Sequence, residues 1–187
     1  MKYYYLLIFS ILLLFSCKEN NQKLTPVNNF TVNKQELLEW NQKLVDINTN
    51  LITKLIERRK WNMNVSETGL YWQIVEKTNS EKVLSGKVVE FRYNIYLLSG
   101  EVMYSSENDG IRSLNIDKNQ EEAGLNEGLK LMRLGEKARF ILPPHLAFGV
   151  SGDGYKIPAY ASLIYEVKII SIHEEVEKKL KNFDEEE

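Results

Sequence analysis

An α+β fold is predicted for this chain: a twisted antiparallel sheet wrapped on one short helix and preceded by an amphipathic helix. Three observations predict it. From Gly69 to Ile172 apolar and polar residues largely alternate, the two-residue period of strands with one buried face. Within that region the stretch Gly124 to Met132 instead places Leu125, Leu129 and Met132 at i, i+4 and i+7, a helical stripe. Ahead of it, from Asn33, apolar residues recur at 3-4 spacing. No long helices separate the strands, so antiparallel pairing is the simplest topology.

The 187 residues, 43% of them hydrophobic, suffice for one ordinary domain with appendages, not two. The formal net charge of −2 becomes −3 without residues 1–16, because Lys2 is the only charged side chain there. No basic surface points to nucleic acid as a partner. Residues 1–16, one cation followed by an apolar run, stop at Cys17 and read as a signal peptide. A spanning helix needs roughly 20 apolar residues and this run is shorter; a plain transmembrane anchor is the alternative. The ending Leu14-Phe15-Ser16-Cys17 resembles a lipobox, which implies cleavage before Cys17 and acylation of its sulfur and new amine. Several acyl chains make a durable anchor at ~0.8 kcal/mol per buried methylene. Cys17 is the only cysteine, so the mature chain has no disulfide and no catalytic thiol; a free thiol is the other reading of this residue.

Residues 17–32 are polar, rich in Asn and broken by Pro26, and read as a lipidated tether. The amphipathic helix is placed at 33–62, with Asn33 and Glu36 as a capping box and a seam of Leu37, Trp40, Leu44, Ile47 and Leu51. That seam needs cover. Packing on its own domain is preferred, which favours a monomer, because Thr49, Asn50 and Lys54 interrupt the seam; a dimer through residues 33–62 is the alternative. The strand-rich domain takes 63–172. Val89, Phe91, Tyr93, Ile95 and Leu97 share one face of a strand, as do Ala138, Phe140 and Leu142, and again Leu163, Tyr165, Val167 and Ile169. Residues 173–187 form a charged tail.

Gly124-Leu125-Asn126-Glu127-Gly128-Leu129-Lys130-Leu131-Met132, then Gly135-Glu136-Lys137-Ala138, then Pro143-Pro144-His145-Leu146-Ala147-Phe148-Gly149, resemble the core of the FKBP fold. Ile157-Pro158-Ala159-Tyr160-Ala161-Ser162-Leu163-Ile164-Tyr165-Glu166-Val167 is similar to the stretch that closes that domain. Phe91-Arg92-Tyr93, Ser99-Gly100 and Ser105-Ser106 are similar to its opening hairpin. The ordered match spans about 85–172. The lipobox, the N-terminal helix, Gly69-Leu70-Tyr71-Trp72 and Met103-Tyr104-Ser105-Ser106-Glu107 most resemble the gliding-motility-associated FKBP-type lipoproteins of Bacteroidota.

The resemblance implies a peptidyl-prolyl cis-trans isomerase acting on proline-containing polypeptides of exported proteins. The chemistry needs no nucleophile, because a dry apolar pocket that favours the twisted amide is enough. By position, Tyr93, Phe148, Ile157 and Tyr165 would wall the proline pocket over Leu125 as floor, with Met103 and Tyr104 at one side and Glu121 and Glu122 before the helix. The Glu122 N–H would donate to a substrate carbonyl. Tyr93 and Tyr165 are also readable as plain core aromatics. The chain departs from the family pattern at Leu125, usually tryptophan, at Tyr104, usually aspartate, at Glu121-Glu122, usually apolar, and at Phe148, commonly tyrosine. These departures imply reduced activity. No cofactor or metal is expected: His145 and His173 lack partners at metal or triad spacing, and Asp153 reads as a turn acid. The expected location is a lipid anchor facing the periplasm, on the outer membrane rather than the inner, since Lys18 follows Cys17. The competing class is a non-catalytic FKBP-fold binding module in a gliding or secretion assembly.

Overall fold

The computed structural model describes residues 33–118 and 123–174. Cys17, the signal segment, the tether, Glu121, Glu122 and the tail beyond Glu174 lie outside the described residues. The chain divides into two compact units, 1–39 and 40–187. The division falls within helix α1 (Lys34–Arg59), whose residues from Trp40 on belong to the second unit; at its start the Asn33 side chain accepts the Gln35 N–H at 3.1 Å.

In the second unit the elements follow as β1 (Asn64–Val65), β2 (Tyr71–Glu76), β3 (Val88–Leu97), β4 (Val102–Ser105), a one-turn α2 (Ser106–Asp109), β5 (Arg112–Asn115), α3 (Ala123–Lys130), β6 (Lys137–Leu142), a 3-10 turn (Pro144–Leu146) and β7 (Leu163–His173). The strands form one antiparallel sheet in the order β1-β2-β6-β7-β3-β4. The first half of β3, from Val88 to Phe91, pairs with β5 on the edge whose second half, from Asn94 to Tyr96, pairs with β4. Two short strands thus share one long partner, with α2 at the corner between them.

The predicted alternation places the core. Val89, Phe91, Tyr93 and Ile95 of β3, Ala138, Phe140 and Leu142 of β6, and Leu163, Tyr165, Val167 and Ile169 of β7 are all buried on one face. Helix α3 covers that face with Leu125 and Leu129, each wholly buried. It lies close because two of its residues have no side chain: a Cβ at Gly128 would stand 2.9 Å from the Phe140 ring, and one at Gly124 2.8 Å from Leu142 Cγ. Both distances are shorter than real contacts allow.

The opposite face of the sheet carries a second, smaller cluster, in which Ile52 and Leu55 of α1 bury Ile141 and Ile164. Arg139 reinforces it, its guanidinium 4.0 Å from the Trp61 ring centre and its Nη2 2.6 Å from Glu166 Oε1. The expected seam does not make this contact. Trp40, Ile47 and Leu51 are 57%, 45% and 52% exposed, and only Leu44 is half-buried. The face turned to the domain is Leu44, Asn48, Ile52, Leu55 and Ile56 instead. Asn48 hid this stripe from a reading by hydropathy. Its Nδ2 donates to the Leu44 carbonyl at 2.9 Å and its Oδ1 accepts from Ser162 Oγ at 2.8 Å, so a polar residue sits satisfied on the docked face.

The corrected register is testable one residue apart. Ile52→Ala should cost about 2–4 kcal/mol, as truncation of a buried aliphatic does, whereas Leu51→Ala should stay within about 0.5 kcal/mol. Urea unfolding of the two variants measures both, and equal costs would contradict the observed face.

Candidate functional site

The residues expected to form a pocket come from five separate parts of the chain. Strand β3 supplies Tyr93 and β4 supplies Met103 and Tyr104; α3 supplies Leu125. Phe148 and Ile157 lie in the connection between the 3-10 turn and β7, and Tyr165 lies on β7. All seven belong to one apolar cluster: Tyr93, Met103, Leu125, Ile157 and Tyr165 are buried, and Tyr104 and Phe148 are partly buried against them. The β4 corner is fixed by local hydrogen bonds. Ser105 Oγ accepts the Glu107 N–H at 3.1 Å, Asp109 Oδ2 accepts the Ser105 N–H at 2.9 Å, and Ser106 Oγ accepts the Tyr93 N–H at 3.2 Å.

A cavity of about 410 Å³ opens here, lined by Tyr93, Ile95, Tyr104, Asp109, Arg112, Phe148 and Asp153. Three expected residues, Tyr93, Tyr104 and Phe148, therefore face the cavity. Leu125 and Tyr165 are fully buried, and Met103 and Ile157 nearly so, behind that lining. Glu121 and Glu122 fall outside the described residues. Ile95, Asp109, Arg112 and Asp153 were not anticipated as lining. Ile95 was legible only as a core position. Arg112 stands with its Cζ 5.6 Å from the Tyr93 ring centre and 5.7 Å from that of Phe91, so its cation roofs two aromatics.

Asp153 is a turn acid, as expected, and also more than that. Its Oδ1 accepts the N–H groups of Tyr155 at 2.9 Å and Ile157 at 2.8 Å, while its Oδ2 accepts the hydroxyl of Tyr104. That hydrogen bond, with burial and the charge of Asp153 behind it, pushes the Tyr104 hydroxyl up to about 12. For Asp153, burial opposes ionisation most, yet the Tyr104 hydroxyl and the backbone N–H groups of Tyr155, Ile157 and Lys156 outweigh it and hold the carboxyl below its ordinary value. The Lys156 ammonium lies 4.7 Å from the Tyr104 ring centre. No signal in the sequence pairs positions 104 and 153, which only the folded chain brings together.

The arrangement offers an aromatic-walled space for a small apolar group, with donors and acceptors at its edge. Among the described residues, no group of three or more His, Cys, Asp or Glu side chains could hold a metal ion. A larger groove of about 570 Å³ runs elsewhere, between α1 residues such as Leu44 and Asn48 and the loops around Thr68 and His145. It shares no residue with the aromatic cavity and lacks its convergent charged groups.

The tyrosine–aspartate pair has a defined pH window. A raised tyrosine pKa contributes stability that is complete below the ordinary value of 10.0 and lost as pH rises through about 12. A lowered aspartate pKa contributes stability that is complete above 3.8 and lost as pH falls through the depressed value. The melting-temperature difference between the native chain and Tyr104→Phe should therefore hold level from about pH 5 to 9, at a size corresponding to about 1 kcal/mol, and shrink beyond either end. A difference that varies within that window, or is absent at neutral pH, would contradict the pairing.

Residues 79–170 match the family model described as FKBP-type peptidyl-prolyl cis-trans isomerase. FK506-binding protein 2 of Dictyostelium discoideum is 36% identical over 93 residues, covering 49% of this chain and 70% of that protein. The FKBP-type peptidyl-prolyl cis-trans isomerase FkpA of Aeromonas hydrophila is 32% identical over 114 residues, 61% of this chain and 42% of that protein. Among solved structures, that of FkpA from Escherichia coli superposes with a TM-score of 0.58 at 25% identity, over 77% of this chain and 75% of that one. The chain spans about half the length or less of several curated relatives, 48% in the case of a Haemophilus influenzae protein.

Proposed function

From the premise that the chain belongs to the FKBP-type peptidyl-prolyl cis-trans isomerase family, we propose that its aromatic cavity accelerates rotation about X–Pro bonds. Peptide rotation faces a barrier of ~18–20 kcal/mol because planarity carries resonance energy. A cavity that strips water from the amide and fits its twisted form lowers that barrier without a covalent step. The observation that carries this reading is the open cavity with Tyr93 and Phe148 as walls, inside the matched segment. Tyr104 borders it, while Met103, Leu125, Ile157 and Tyr165 support the lining from behind, and the Glu122 N–H serves as donor to the substrate carbonyl. In this reading the activity is reduced, because Leu125, the expected floor, and Tyr165, an expected wall, have no exposed surface to offer a substrate.

The clients in this reading are proline-containing segments of exported proteins, met by a monomer anchored through lipid on Cys17. It faces the periplasm from the outer membrane in preference to the inner. The likeness to gliding-motility-associated FKBP-type lipoproteins rests on the lipobox and the short phrases at Gly69-Leu70-Tyr71-Trp72 and Met103-Tyr104-Ser105-Ser106-Glu107. The full burial of Leu125 also favours a second reading, a binding module that holds a partner without turnover.

A protease-coupled isomerisation assay on residues 18–187 separates the two. Isomerisation should exceed the uncatalysed rate in proportion to protein concentration and fall at least tenfold in Tyr93→Ala, the loss expected for a truncated wall of about 2 kcal/mol or more. A rate equal to the uncatalysed one at high protein concentration supports the binding module. For the anchor, radiolabelled palmitate should enter the native chain and be lost in Cys17→Ser, with the label in outer-membrane fractions. Equal labelling of both proteins would remove Cys17 from that role.

A further inference from the structure

We propose that Tyr104 and Asp153 are positioning residues that latch the loop over the aromatic cavity to strand β4 and so set the cavity's opening. The inference rests on the reading of that cavity as the prolyl site.

Both residues line the cavity, and the hydrogen bond between them joins parts of the chain 49 positions apart. The loop end is a tight knot. Asp153 N–H bonds to the Ile157 carbonyl at 3.2 Å, and the same aspartate's Oδ1 takes the Tyr155 and Ile157 N–H groups. Gly152 makes the knot possible: its φ is +66°, and a Cβ there would fall 2.2 Å from the Ile157 oxygen. Ile157 is 3% exposed and belongs to the core that backs the cavity, so the orientation of the knot fixes how that core meets the opening. Two contacts from the knot, the Asp153 carboxylate on the hydroxyl and the Lys156 ammonium over the ring, converge on Tyr104.

The carboxylate is also spent. Oδ1 holds two backbone N–H groups and Oδ2 holds the hydroxyl, so its chemistry is directed into the protein. A group arranged this way orients its surroundings. Tyr104 does the complementary work from the sheet, since β4 pairs with β3 at Ile95↔Tyr104 and Ile95 itself lines the cavity. The latch therefore ties the loop side of the cavity to its most regular side, a strand in register.

The test uses the full-length chain in detergent, with Tyr104→Phe, Asp153→Asn and the double variant. Hydrogen exchange read by mass spectrometry on peptides covering 150–157 should speed by about five- to tenfold in each single variant, the size of one lost hydrogen bond. With a tetrapeptide containing proline, KM should rise by a similar about five- to tenfold factor while kcat stays within about twofold, a split that general destabilisation does not produce. The double variant should be no worse than the more severe single, since both remove one interaction. Unchanged exchange at 150–157 in both single variants, or effects that add in the double, would overturn the latch. If the native chain fails to isomerise the peptide, the enzymatic reading fails, and the exchange measurement decides the latch alone.

Discussion

The approach of α3 to β6 is the constraint on which the remaining structure depends. With glycine at positions 124 and 128, the helix backbone comes close enough to Phe140 and Leu142 that any side chain there would fall 2.8–2.9 Å from them. That depth seats Leu125 and Leu129 in full burial against the sheet and lets the strands curve around one helix. A helix held further out would leave a void under the strands that carry Tyr93 and Tyr165, and interiors do not tolerate voids of that size at native packing density. The cavity exists at the end of this packed layer because β4, the 150s loop and α2 close it from the side. It is a gap between a rigid core and a loop.

A second consequence concerns the sheet's other face. Strands β6 and β7 do not alternate cleanly between buried and exposed, for Ile141 and Ile164 point away from α3 and are still buried. Helix α1 explains them. Its residues Ile52 and Leu55 cover them, and Arg139 bridges to Trp61 and Glu166 at the edge of the cluster. The central strands are thus covered on both sides, and on β3 Tyr96 packs against the same cluster while Arg92 is exposed. Strand β7, which carries Tyr165 on the α3 side, is backed by α1 on the other through Ile164.

How much of this the sequence disclosed depends on the range of the interactions. The alternation on β3, β6 and β7 and the stripe of α3 were legible because period and burial are local properties of one element. The docked face of α1 was not, because Asn48 interrupts the hydropathy pattern and is satisfied by Ser162, a partner 114 positions away. For the site, the resemblance names seven described residues, of which Tyr93, Tyr104 and Phe148 line one cavity and Met103, Leu125, Ile157 and Tyr165 are buried. Periodicity alone could equally have made Tyr93 a plain core aromatic. Arg112 and Asp153 escaped because a surface arginine and a turn acid carry no local mark of what they will face.

The departures at positions 104 and 148 gain meaning when taken together. Against the pattern the resemblance implies, with an aspartate on the strand and a tyrosine in the turn, this chain has tyrosine on β4 and phenylalanine in the turn. Taken one at a time these are two losses, a carboxylate and a hydroxyl. In the folded chain the hydroxyl has moved to the strand, and a carboxylate, Asp153, meets it from the loop. A tyrosine–aspartate contact thus borders the cavity, its partners drawn from the strand and the loop. The exchange keeps the polar character of that edge while leaving Phe148 free of any hydroxyl to orient, so its ring is available to the cavity as apolar surface. What the substitutions change is which part of the chain holds the acid, and hence which part moves if the contact breaks.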